Sequence, residues 1–253
     1  MKKKNQPKIN YSKLPVFEHG LGELLEKFCK RRAFVNSEYD CPITVGFTES
    51  GEPLIKNLPE LGNTFIFGDT GKTLYHFLLF AQMLYVNYEL KMKLALFDDN
   101  MQTLMPFFGN LDISKYYIGD AEELSAFLSS LEKEKARRKR EGGKGYPHTI
   151  YFAYLDYHSL EDTCNVLIEK LNNRLCDGLQ GLGMQLIVCA GNSRPTEFVL
   201  PYKGLFDTTI GTRTYRLQEY SDLLSTEGII SHGGIKEKFI FYGHKVPTPD
   251  LED

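Results

Sequence analysis

Apolar positions along this chain recur with two different periods, and they alternate. Residues 1–40 carry one short helical pattern, from Gly22 to Arg32, through Leu24, Leu25 and Phe28. Ile43–Phe47 then reads as a strand, Glu49-Ser50-Gly51-Glu52 as a turn, and Pro53-Leu54-Ile55 as its hairpin partner. Asn63–Phe67 is a short β-rich run ending at Gly68. From Lys72 the period lengthens: Leu74, Phe77, Leu78, Ala81, Leu84 and Tyr85 fall on one face of a long helix. Lys93–Phe97 predicts a buried strand closed by Asp98-Asp99, and Tyr116–Ile118 a shorter one.

Asp120 before Ala121-Glu122-Glu123 is an N-cap followed by first-turn carboxylates, and the helix it starts runs toward Arg140. Gly142-Gly143 and Gly145-Tyr146-Pro147 stop it. Thr149–Leu155 is the clearest strand, Glu161–Leu179 a helix, and Gln185–Ala190 another buried strand. Thr208–Tyr215 and Lys238–Tyr242 complete the set, with a short helix near Leu217–Leu224. Strands apolar along their whole length, alternating with helices, predict an α/β fold with a mainly parallel sheet covered on both faces. The expected division is an entry segment over residues 1–40 and one domain over 41–253.

Composition narrows the function. Thirty Lys and Arg against 33 Asp and Glu leave a net charge of −3, which lacks the one-signed surface of dedicated nucleic-acid binders. The cysteines (Cys29, Cys41, Cys164, Cys176, Cys189) form no C-x-x-C pair and share no ligand spacing with the histidines, which argues for reduced thiols and against structural zinc. No apolar run approaches the ~18–20 residues that span a bilayer. The run Glu132–Arg140 reads first as a solvated helix face with cations near the negative helix end, and secondly as a contact patch for an acidic partner.

The candidate chemistry lies between the strand at Phe65–Phe67 and the following helix. Gly68-Asp69-Thr70-Gly71-Lys72-Thr73 occupies the place of a phosphate-binding loop. A full loop, G-x-x-x-x-G-K-[ST], wraps a β-phosphate in successive backbone amides, while lysine neutralises the outer oxygens and the hydroxyl holds Mg²⁺. Here the spacing is two residues shorter, so that amide nest is incomplete, though Lys72, Thr73 and the helix N-terminus remain open to an anion. Ile150–Leu155 ending in Asp156 is a Walker B pattern, whose carboxylate reaches Mg²⁺ through water. Tyr157 stands where hydrolysis needs a glutamate to polarise the attacking water, and a phenol is a poor base near neutral pH. Leu186–Ala190 followed by Gly191-Asn192 places Asn192 where a γ-phosphate sensor would sit.

Each motif has a purely structural alternative. Gly68–Thr73 can be a βα turn with glycine at positive φ. Asp156, like Asp98 and Asp99, can be a capping residue. Arg213 can be a finger reaching across a subunit boundary or one member of an ion pair. The surplus of Tyr and Phe is mainly core.

Thr44-Val45-Gly46-Phe47, Ser50-Gly51-Glu52-Pro53, the glycine loop, Leu186–Pro195 and Ile210-Gly211-Thr212-Arg213 resemble, in order and spacing, the motor domains of FtsK/SpoIIIE-type translocases over roughly residues 40 to 245. Within that family the decayed Walker motifs look most like a C-terminal module of the type VII secretion coupling ATPase (EssC/EccC-like). The resemblance implies a RecA-like P-loop NTPase fold and a hexamer-capable architecture. It implies ATP and Mg²⁺ as cofactors, weakly held or lost, on Gly68, Asp69, Thr70, Gly71, Lys72, Thr73, Asp156 and Asn192, with Thr73 and Asp156 toward the metal. The implied partners are secreted protein substrates and neighbouring ATPase domains. The implied place is the cytoplasmic side of a membrane, reached only through the rest of a longer chain. The sequence departs from the family at the short loop, at Tyr157 and at a missing sensor glutamine, which points to substrate recognition or regulation with weak or no hydrolysis. The alternatives are an ATPase completed in a hexameric ring and a DNA-translocase motor, the second disfavoured by the charge balance.

Overall fold

The computed structural model describes residues 42–50, 52–68, 93–98, 115–118, 120–143, 145–155, 161–190, 193–224 and 227–240. The expected helices over 22–32 and 72–85 lie outside them, as does the entry segment. Among the described residues ten strands form one sheet: β1 (Pro42–Phe47), β2 (Pro53–Asn57), β3 (Thr64–Phe67), β4 (Lys93–Asp98), β5 (Lys115–Ile118), β6 (Thr149–Leu155), β7 (Met184–Ala190), β8 (Thr208–Thr212), β9 (Glu227–His232) and β10 (Ile235–Ile240). Their order is β2-β1-β10-β9-β8-β3-β7-β6-β4-β5. The half from β8 to β5 is parallel, and the remaining strands join it antiparallel. The α/β architecture is therefore as expected, with a mixed sheet whose parallel half is the part the apolar runs describe.

Helices α1 (Ala121–Arg140), α2 (Glu161–Asn172), α3 (Ser193–Val199) and α4 (Gln218–Ser221) stand between the later strands. α1 begins as its sequence indicates: Asp120 Oδ1 accepts from Glu123 N at 3.0 Å, satisfying one of the orphan amides of the first turn. Its stripe Leu124, Phe127, Leu128 and Leu131 packs with Phe97, Tyr151, Ala153 and Leu155 of the sheet and Leu167 and Leu171 of α2 in one core. Residues of the opposite sheet face, among them Ile66, Phe152, Ile187 and Cys189, are equally buried, so both faces are covered.

Seven positions beyond Leu131 the same stripe reaches Arg138, which is 1% exposed. The charge run is thus not simply a solvated face. Arg138 Nη1 donates to Leu182 O (2.9 Å), Gly183 O (3.0 Å) and Pro147 O (3.3 Å), Nη2 to Thr149 Oγ1 (2.6 Å) and Nε to Glu134 Oε1 (2.7 Å). One buried guanidinium so ties together the entries to β6 and β7, adding to the bonds that Thr149 N makes to Gly183 O and Thr149 Oγ1 to Pro147 O.

Two elements differ from the sequence reading for local reasons. α2 stops at Asn172, not Leu179. Arg174 takes φ 62°, with Leu175 N donating to Lys170 O (3.1 Å) and Arg174 N to Leu171 O (3.0 Å). That is a Schellman closure with arginine at the left-handed position that glycine usually fills. Lys135 Nζ supports it by donating to the carbonyls of Arg174 and Leu175. Leu175 and Leu179 stay buried, so the apolar spacing continues although the helix does not. β8 ends at Thr212, and β9, which the sequence reading omits, pairs with it antiparallel. Gly233 and Gly234 (φ 55° and 81°) turn β9 into β10, the backbone a two-residue hairpin requires.

The described cysteines Cys164, Cys176 and Cys189 are buried, and burial, aided by the nearby Asp207 charge, pushes Cys176 up to about 12. No helix among the described residues is long and apolar enough to cross a membrane.

Candidate functional site

In an open parallel sheet, ligands settle outside the carboxyl ends of the strands where the winding order reverses. Here the chain leaves β3, crosses to β4, returns through β6 and β7, and passes over β3 to β8. That rule points to the carboxyl ends of β3, β7 and β6. Registry puts these ends level: Phe67 pairs with Ala190, Ala190 with Leu155, and Phe67 on its other side with Gly211. Gly68 and the last residues of β6 and β7 are thus brought to one edge of the sheet.

Of the candidate residues, Gly68 is described and buried. Asp69, Thr70, Gly71, Lys72, Thr73, Asp156 and Asn192 lie outside the described residues, as do Asp99 and Tyr157. Gly68 does not take the positive φ that the turn alternative supposes. What demands glycine there is proximity: a Cβ would stand 1.7 Å from Thr212 Oγ1. On the far side, Thr196 of α3 donates its hydroxyl toward Gly68 O and Ala190 O, at 3.4 Å to each. Sequence reading passes over Thr196, and it treats Thr212 only as part of a strand. The two contacts with Gly68 join residues more than a hundred positions apart, and no local pattern signals them.

Beyond Thr212 the chain turns. Arg213 is half-buried, with its guanidinium 4.9 Å from the centroid of the Tyr215 ring and its Nε buried without a hydrogen-bond partner. Stacking on a ring, not a described ion pair, holds it. Tyr220 of α4 lies edge-on to Phe67 at 5.1 Å, and burial, then the Glu219 charge, pushes its phenol up to about 12, so it stays neutral. Among the described residues no group of three or more His, Cys, Asp or Glu could hold a metal. A separate cavity of about 450 Å³, lined by Ser129, Ser130, Lys133, Glu134, Arg137 and Tyr151 among others, flanks α1 and adjoins β6 near its start.

At the opposite edge of the sheet, side chains fix the strand starts. Asn63 Nδ2 donates to Cys176 O (3.1 Å) and Asp207 Oδ2 (3.0 Å), and Asn63 Oδ1 accepts from Leu186 N (3.0 Å). Gln185 Nε2 donates to Gly62 O (2.5 Å) and Leu58 O (3.2 Å). These buried amides set the heights of β3 and β7, and through them the level at which Gly68 emerges.

By sequence, the chain matches no family model and no curated protein. By structure it resembles EssC (ATPases 2 and 3) from Geobacillus thermodenitrificans, with a TM-score of 0.57 and 15% identity over 83% of this chain and 43% of that one. It also resembles the pCW3 conjugation coupling protein TcpA in a monomer form with ATPγS, at 0.56 and 15%, covering 81% of this chain and 67% of that one. Thermomonospora curvata EccC (ATPases 2 and 3), in complex with a signal sequence peptide, follows at 0.55 and 14%, covering 80% and 41%. The chain spans less than half the length of the EssC and EccC structures. Its fold is the RecA-like P-loop NTPase fold of the EssC and EccC ATPase units and of TcpA.

Proposed function

We propose that this chain is one P-loop ATPase-type module, from about residue 41 onward, of a protein-export motor of the type VII kind, serving substrate recognition or regulation with weak nucleotide binding and little or no hydrolysis. The observation that supports a nucleotide site is the strand order β8-β3-β7-β6, with Gly68 directly beyond β3 and the ends of β3, β7 and β6 level. Its weakness is read from the sequence: a loop two residues short, and Tyr157 where a carboxylate would orient water.

Mg-ATP bound there would supply a transferable γ-phosphoryl group. Lys72 would neutralise phosphate oxygens, Thr73 and Asp156 would hold the metal, and Asn192 would face the outer phosphate. Gly68 fits such a role because its peptide follows β3 directly and bears no side chain. A signal peptide in the EccC complex supports a secreted substrate as partner, and the paired ATPase units of EssC and EccC support a neighbouring module as another.

Isothermal titration with Mg-ATP, alongside phosphate release, tests this reading. Weak binding that Lys72→Ala abolishes, with negligible turnover, is expected. Micromolar affinity with steady turnover of the isolated chain would overturn the degenerate reading, and turnover appearing only on assembly would favour a site completed in a ring.

A further inference from the structure

Thr196 sits in α3 with none of its surface exposed, and its hydroxyl is directed at two main-chain carbonyls, Gly68 O and Ala190 O, at 3.4 Å each. Ala190 is the last residue of β7, Gly68 the first beyond β3, and the two strands pair at Phe67 and Ala190. A buried carbonyl at the end of a strand can take a side-chain hydroxyl as donor. One hydroxyl proton shared between them ties the two ends together. From the other side, Thr212 of β8 closes on the Cα of Gly68. Gly68 is thereby held by a donor from α3 and by contact from β8. α3 starts at Ser193, three residues beyond Ala190, so the helix that carries the donor lies close along the chain to the end of β7.

We infer that Thr196 is a positioning residue for the Gly68 turn: it sets the height of the Gly68 carbonyl against β7 and couples any displacement of α3 to that turn. This rests on the reading of the turn as a phosphate site for its functional meaning, but not for the contact itself. A core threonine that merely filled volume would use its methyl and tolerate valine. A positioning hydroxyl tolerates serine and not valine.

Hydrogen exchange read by mass spectrometry over residues 64–73, together with Mg-ATP titration, separates these roles. Thr196→Val should speed exchange in that segment by about tenfold, the scale of one lost hydrogen bond, and leave α1 unchanged. It should weaken Mg-ATP binding by a similar factor, and Thr196→Ser should restore both. Should the valine variant fail to fold, Thr196→Ala provides the same comparison. Unchanged exchange over 64–73, equal acceleration throughout the molecule, or a serine variant behaving like valine would overturn the inference. If the wild-type chain binds no Mg-ATP, the phosphate reading fails, and the exchange result still decides whether Thr196 positions Gly68.

Discussion

The hydroxyl of Thr212 occupies the space a side chain on Gly68 would need: a Cβ there would lie 1.7 Å from Oγ1 and 3.0 Å from the Thr212 Cβ. The contact crosses from β3 to β8 at the carboxyl edge of the sheet. Gly68→Ala should therefore destabilise the fold by about 2–3 kcal/mol through overpacking, measured as a lowered urea midpoint. Thr212→Ala on that background should recover part of the loss, since it removes the nearer atom and leaves the Cβ in place. Additive losses in the double variant would refute the relationship.

Arg138 should be the most costly single truncation on α1. Arg138→Met keeps the buried stem but removes five hydrogen bonds, those to Glu134, Thr149 and the carbonyls of Pro147, Leu182 and Gly183. A loss of about 3–5 kcal/mol is expected for removing one partner of a buried charged network. Lys139→Met, at an exposed neighbouring position, should change stability by less than about 0.5 kcal/mol. Chemical denaturation of the two variants side by side measures the contrast.

Glu134 provides an acid-sensitive element of the same network. Its hydrogen bond to Arg137, then that to Arg138, holds its carboxyl at about 2, against an ordinary 4.5. A depressed carboxyl stabilises the fold above its unfolded value, so this contribution is complete above about pH 4.5 and is lost as pH falls toward 2. Glu134→Gln should flatten the dependence of the urea midpoint on pH within that window and leave its shape unchanged near neutrality.

His148 acts in a higher window. Burial, and to a lesser extent the Arg138 charge, lowers its imidazole below 6.5, while its Nε2 pairs with Gln185 Oε1 at 3.1 Å. The folded state thus holds the ring neutral and the unfolded chain binds the proton more readily. Stability is full above 6.5 and declines as pH drops through that value toward the lower folded one. His148→Gln should remove the part of the decline that separates about pH 7.5 from about pH 5.5 in denaturation curves. An unchanged slope would show that other groups carry it.

If Tyr157 is what limits hydrolysis, Tyr157→Glu should raise phosphate release on the order of tenfold or more, short of the 10²–10⁴ a well-placed general base contributes, because the shortened loop remains. Lys72→Ala added to it should return release to background. No gain from glutamate would place the defect in the loop.

Much of the architecture was legible along the chain, for identifiable reasons. Six successive apolar or aromatic residues at Ile150–Leu155 mark a strand buried on both faces, and Asp120 with two following glutamates marks the start of α1. The β1–β2 hairpin shows in its turn residues. β9 escaped because its burial alternates along an antiparallel strand beside the parallel block, and its clearest cue is the pair Gly233-Gly234. The end of α2 escaped because an arginine, not a glycine, adopts the left-handed closing position.

Apolar period, caps and turn residues are local quantities, and the sequence alone therefore determined the α/β class and most strand positions. Strand order and registry depend on packing between segments a hundred residues apart. Only the tertiary structure could decide that β3 lies between β7 and β8, that Phe67, Ala190 and Leu155 end level, and that Arg138 turns inward. It also decided why residue 68 is glycine. The cause is not the torsion of the turn but the hydroxyl of Thr212, 144 positions along the chain, pressed against its Cα.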